Sequence, residues 1–95
     1  MAKREKRAVV RVQTGVRMEK RILLVLKALG GTLDLSLGDL LEGIVLHAFE
    51  SKPPFGRDSL AKIEGLKKVY GLDLSAADSH LLVEAPAARG GREKR

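Results

Sequence analysis

Residues 7–13 read Arg-Ala-Val-Val-Arg-Val-Gln, and their alternation constrains the fold more than any other stretch. On an extended strand Ala8, Val10 and Val12 share one face, while Arg7, Val9, Arg11 and Gln13 share the other. One side is apolar and small enough to rest on a core. The other carries long side chains that donate hydrogen bonds. No second convincing strand is legible in the chain. A single strand leaves backbone groups unpaired on both edges and is not stable alone. The most economical partner is the same strand in a second copy.

Size and composition narrow the class. Ninety-five residues make one domain, at most with a small appendage, and such a chain buries only a modest core. The absence of cysteine excludes a disulfide or thiolate metal site and fits a reducing cytoplasm. The longest apolar run, Ile22 to Leu26, is closed by Lys27 and is far too short for a membrane span. The basic residues 1–7 are followed by no apolar stretch of signal-peptide type. The expectation is a cytoplasmic protein with no membrane partner.

The placement of charge says more than its total. The net charge is +6. Lys3, Arg4, Lys6, Arg7, Arg11, Arg17, Lys20 and Arg21 stand against Glu5 and Glu19 in residues 1–21, whereas residues 22–95 are neutral. A single-sign field confined to one end suits a polyanionic partner docked there. The bland alternative is a solubilising tail, but the arginines continue into the alternating stretch.

Downstream, the pattern becomes helical. Thr14 can cap a helix starting near Val16, whose apolar face is Met18, Ile22, Val25, Leu26 and Leu29. Leu23 and Leu24 widen that face, as for a helix buried on more than one side at a dimer core. Gly30-Gly31 supplies a stop. Ser36 with Asp39 resembles a capping box and opens a second helix of about 37–50, in which Gly43 either packs near a two-fold axis or is merely tolerated. Pro53 and Pro54 break the chain. A third helix of about 59–70, capped by Asp58 or Ser59, ends at Gly71, and a short fourth one of about 76–83 follows Ser75. Residues 85–95 have the composition of a disordered tail. The run Leu33-Asp34-Leu35-Ser36-x-x-Asp39 recurs as Leu72-Asp73-Leu74-Ser75-x-x-Asp78, a repetition of turn chemistry more than a duplication.

A basic alternating strand followed by helix, short turn and helix over residues 5–50 resembles the ribbon–helix–helix family of DNA-binding proteins, of the Arc and MetJ type. The resemblance implies a mainly α fold with one short β-strand. It implies an intertwined homodimer in which the two strands form an intersubunit two-stranded antiparallel ribbon that enters the major groove. The domains on this view are a basic flexible arm (1–6), a ribbon–helix–helix domain (7–50), a C-terminal helical extension (51–84) folded as a hairpin, and the tail (85–95). By family position, Arg7, Val9 and Arg11 contact bases. Val9 departs from the usual polar residue there and offers only a methyl contact to thymine. Gln13, Ser36, Leu37 and Gly38 fall where phosphates are contacted, and Lys3, Arg4 and Lys6 add sequence-independent attraction. The implied function is a sequence-specific double-stranded DNA-binding regulator of transcription, a repressor by type, nucleoid-associated when bound.

Competing classes are weaker or share the same fold. Asp78-Ser79-His80 contains hydrolase residue types, but sequence neighbours do not converge as a triad must, so no catalytic residue is expected. His47 and His80 are the only histidines, and neither a metal nor another cofactor is expected; His47 suits the last turn of its helix. Phe49, Phe55 and Tyr70 lie away from the basic end, which leaves no stacking platform for single strands or RNA. The serious alternative is an antitoxin whose residues 52–84 bind a toxin or other protein. Against it, that segment carries its own caps and apolar faces, as for a hairpin that packs on the dimer or mediates higher assembly. A non-specific DNA-organising protein is a third possibility.

Overall fold

In a computed structural model the chain is described over residues 5–86. Three α-helices account for its regular structure: α1 (Lys20–Leu33), α2 (Leu37–Phe49) and α3 (Arg57–Tyr70), followed by a single 3-10 turn at Ala76–Asp78. Helix α1 is the centre. Helices α2 and α3 each pack on it and not on each other. The wide apolar face of α1 is thus covered by two helices of its own chain. The core is small: Val25 and Leu29 of α1 and Leu40 of α2 are its buried hydrophobic residues, with Leu29 only 1% exposed.

The start of α1 lies several residues later than the Thr14 cap predicts. Residues 14–18 are not helical, and the N-cap is Glu19. Its carboxylate accepts from the Ile22 backbone N–H at 3.0 Å and is steadied by the Arg21 Nε–H at 2.9 Å. An acceptor at the positive end of a helix satisfies an otherwise orphaned donor. The end of α1 also differs. The chain stays helical through Gly30 and Gly31 to Leu33, and Asp34 takes the left-handed conformation (φ 60°) instead. The Asp34 N–H then reaches the Gly31 carbonyl at 3.3 Å and the Leu35 N–H the Gly30 carbonyl at 2.8 Å. This is the paired closure typical of helix C-termini, made here by aspartate, one of the few non-glycine residues that tolerate it.

Helix α2 follows its local chemistry closely. Ser36 Oγ accepts from the Asp39 N–H at 3.1 Å, and Asp39 places a negative charge in the first turn. In the last turn His47 Nδ1 lies 2.7 Å from the Gly43 carbonyl, which can only accept, so this nitrogen carries the proton. A Cβ built on Gly43 meets nothing within 4 Å in the single chain. Helix α3 starts at Arg57 on Gly56, without the side-chain cap expected from Asp58 or Ser59. It ends, as the sequence indicates, at Gly71, which is left-handed at φ 67°.

Two expectations of architecture are corrected. No β-strand occurs among the described residues, and residues 7–13 are exposed and unpaired. Val10 is 94% exposed and Val12 83%, so the apolar face of the alternating stretch rests on no core. The physical reason is that the chain offers no second strand to complete a ladder, and alternation without a partner gains neither backbone pairing nor burial. The mainly α part of the expected fold holds. The ribbon–helix–helix arrangement with its intersubunit antiparallel ribbon does not. The C-terminal helical hairpin is also missing: within residues 76–83 only Ala76–Asp78 forms a 3-10 turn, and His80 at φ 65° interrupts any continuation. The Ser75 N–H does donate to the Asp78 carboxylate at 2.8 Å, so the local cap forms without propagating.

The predicted disorder of the two ends falls largely outside the described residues, and the phosphate contacts assigned to Lys3 and Arg4 lie wholly there. Among the described residues no helix is long and apolar enough to cross a membrane.

Candidate functional site

The basic end of the chain forms an arm without regular structure, residues 5–19, ahead of α1. Lys6, Arg7, Val9, Arg11 and Gln13 are all exposed along it. Arg7 and Lys6 have no ionic partner among the described residues. Lys20, at the first turn of α1, is likewise exposed and unpaired there.

Arg11, Arg17 and Arg21 are each paired with residues distant in the chain. Arg11 makes a two-pronged contact with Glu42 of α2: Nε–H to Oε2 at 2.8 Å and an Nη2–H to Oε1 at 2.8 Å. The same Nη2 lies 3.4 Å from Asp39 Oδ1. The planar guanidinium matches a carboxylate in this fork geometry. The hydrogen bond from Arg11 holds the Glu42 carboxyl below its usual range, and Glu42 in turn holds the Arg11 guanidinium in its charged form even more firmly than usual. Arg17 pairs with Glu84. Arg21 bonds the α1 cap Glu19, the Gly71 carbonyl at 3.0 Å and Asp73 at 3.0 Å, so one side chain joins the start of α1 to the end of α3. Glu19 raises the Arg21 guanidinium, and Arg21 lowers the Glu19 carboxyl.

The pairing of Arg11 brings the arm beside the start of α2. Ser36, Leu37 and Gly38 sit immediately before Asp39 in that first turn. The Ser36 hydroxyl is engaged with the Asp39 N–H, Leu37 is half-buried, and a Cβ on Gly38 would meet nothing within 4 Å. A phosphate could approach the backbone there, although the neighbouring Asp39 and Glu42 carboxylates oppose it until Arg11 or another cation offsets them. The structure therefore brings Arg11 to the first turns of α2 through one long-range ion pair, and Gln13 makes no side-chain hydrogen bond among the described residues. Lys6 and Arg7 are exposed and take no part in that pair.

Sequence reasoning missed the carboxylate partners of Arg11. A signal existed: Asp39 and Glu42 are like charges three residues apart on one helix face, a spacing that is unfavourable without a cation between them. It missed the Arg21 junction as well, because Glu19, Gly71 and Asp73 are separated by some fifty residues of chain.

Other candidate features carry less chemistry. A groove of about 1030 Å³ lies between the start of α1 and residues 82–86 and is lined by Arg17, Lys20, Arg21, Leu82, Val83 and Glu84 among others. Two of those three cations already have carboxylate partners. Among the described residues no group of three or more His, Cys, Asp or Glu side chains could hold a metal ion. The Asp78 carboxylate is occupied by the Ser75 N–H. Set beside family models, curated proteins and solved structures, the chain matches none of them.

Proposed function

We propose that this protein binds double-stranded DNA through its basic arm and acts as a sequence-specific regulator of transcription, a repressor by type. The observation that carries this is the placement of charge: the net positive charge of the chain lies within residues 1–21, and the described part of that stretch ahead of α1 is largely exposed. Basic side chains on such a segment neutralise phosphates and release their counterions. An extended arm can enter a groove without a β-ribbon, and guanidinium groups on it can bond base edges. Arg7 and Arg11 are the base-reading side chains in this scheme, with Val9 restricted to an apolar contact. Lys6, Gln13 and the α2 start at Ser36–Gly38 supply contacts to phosphate.

The binding unit is a homodimer. Helix α2 is apolar around most of its circumference, and a helix of that kind is stable when it is buried on more than one side. Its own chain buries only Leu40, leaving Val45 42%, Leu46 65% and Phe49 80% exposed. A second copy covering these three side chains supplies the missing burial and presents two arms to one duplex. Two arms related by a two-fold axis suit a site with inverted symmetry.

Selection from random duplex DNA tests the function. The expected result is a recovered motif, with Arg7→Ala relaxing one position of it by about 5- to 100-fold. Deleting residues 2–6 should weaken all sequences alike and flatten the salt dependence. No binding to any duplex at micromolar protein and low salt refutes the proposal. Binding without a motif replaces it by non-specific DNA organisation.

A second function is favoured by one observation. Leu81, Leu82 and Val83 are 74%, 50% and 91% exposed in a segment with no regular structure. Such a run suits capture of a protein partner by the 52–84 region, as in an antitoxin. Co-purification of one stoichiometric partner that is lost on Leu81→Asp/Val83→Asp substitution would establish it.

A further inference from the structure

We propose that Asp39 and Glu42 form an intramolecular latch that competes with DNA phosphates for Arg11, so that duplex binding requires exchange of one anion for another. This rests on the DNA-binding function proposed above and describes how that site is regulated.

The geometry is that of a phosphate mimic. Arg11 presents its Nε and Nη2 donors to the two oxygens of Glu42 at 2.8 Å each, and Asp39 adds a third oxygen at 3.4 Å. The same fork of N–H donors engages two oxygens of a phosphate or the O6 and N7 acceptors of guanine. The same donors cannot serve both. With the latch closed, the arm is drawn onto α2 and the strongest recognition side chain in its middle is spent. With it open, Arg11 is free, and the two carboxylates are exposed beside the DNA, where they repel phosphates.

The contact is built to be displaced. The Arg11 and Glu42 side chains are 62% and 48% exposed, and Asp39 is 50% exposed. Ion pairs this accessible are screened and shift an equilibrium by at most about fivefold. A duplex, with its high local phosphate density, can outcompete such a latch. The latch therefore lowers the fraction of molecules with Arg11 free and weakens duplex binding by a similar small factor.

Two measurements test it together. Fluorescence anisotropy with a labelled duplex compares wild type, Glu42→Gln, Arg11→Ala and the double variant. The expectation is that Glu42→Gln binds about two- to fivefold tighter and that this gain vanishes in the Arg11→Ala background. An equal gain in both backgrounds would mean that Glu42 acts only by general repulsion, which overturns the latch. No gain in either overturns it too. The second measurement needs no DNA: limited trypsin digestion of the full chain, following cleavage after Arg11 against cleavage after Arg7. A guanidinium held by Glu42 is withheld from the protease, so Glu42→Gln should speed cleavage at Arg11 severalfold and leave Arg7 unchanged. Equal rates at Arg11 in both proteins overturn the latch. If cleavage responds as expected but no variant binds duplex DNA, the latch exists and the DNA-binding function is what fails.

Discussion

Gly30 and Gly31 are adjacent, both lie inside α1, and the structure predicts opposite effects when each is replaced by alanine. In the interior of a helix, alanine is favoured over glycine by about 1 kcal/mol, chiefly because glycine has more backbone freedom to lose on folding. At Gly31 nothing lies within 4 Å of the new Cβ, so this gain is realised with no steric cost. Being near the helix end, Gly31→Ala should stabilise by about 0.5–1 kcal/mol. At Gly30 the Cβ falls 2.9 Å from the Leu35 carbonyl oxygen, inside van der Waals contact. That oxygen belongs to backbone that is held in place, because the Leu35 N–H is bonded to the Gly30 carbonyl at 2.8 Å. The turn cannot retreat without stretching the bond that closes α1. Overpacking costs about 1–3 kcal/mol, and a contact under 3.0 Å with a backbone oxygen puts it in the upper part of that range, about 2–3 kcal/mol, which leaves Gly30→Ala destabilised by about 1–2 kcal/mol after the propensity gain. Thermal unfolding followed by circular dichroism reads the difference. For a chain of this size each kcal/mol moves Tm by about 4–8 °C, so the two variants should differ by roughly 6–24 °C. Protein concentration must be held constant, since dimerisation would make Tm depend on it. If Gly30→Ala were as stable as Gly31→Ala, the turn after α1 would not be packed against Gly30 and the placement of α2 would be wrong.

Three other outcomes are expected. Leu29→Ala should destabilise by about 2–4 kcal/mol in urea titrations, because it empties the most buried position of a core that has few members. Phe49→Glu should shift the sedimenting species to the mass of one chain, 10.3 kDa, without loss of helical signal, whereas an unchanged mass would remove Phe49 from the dimer contact. The depressed Glu19 carboxyl contributes stability that is present above the ordinary glutamate pKa, about 4.3, and is lost as pH falls through its lower folded value. Amide exchange in the first turn of α1 should therefore rise as pH drops below about 4, after correction for intrinsic rates, and Glu19→Gln should remove that dependence.

What could be read from the sequence was the chemistry that is complete within a few residues. Ser36 caps α2 because acceptor and donor lie three residues apart, and Gly71 ends α3 because glycine alone carries no penalty at φ 67°. Misreadings arose where two local solutions competed. Thr14 is the better N-cap by type, but Glu19 wins because Arg21 fixes its carboxylate and continues to Asp73 in another part of the chain. The Gly30-Gly31 pair has the composition of a stop, but Asp34 supplies the left-handed residue three positions later, which lets Gly30 serve as a site of close backbone approach. The alternation in residues 7–13 is a pattern of side chains, and a strand also needs a neighbour whose existence no pattern reports. Of the site, the basic arm and the start of α2 were legible from charge and capping. The bond between them was not, since Arg11 and Glu42 stand 31 positions apart.

The arrangement in which α2 and α3 both lean on α1 and never on each other has a consequence for how the molecule comes apart. Opening α3 breaks its contacts with α1 and the Arg21 junction but removes nothing from α2, and opening α2 leaves α3 in place. The chain is then two foldons sharing one helix, and hydrogen exchange would resolve them as separate free-energy levels with α1 the last to be lost. An insertion or truncation beyond residue 52 would, for the same reason, be felt by half the molecule while the other half kept its fold.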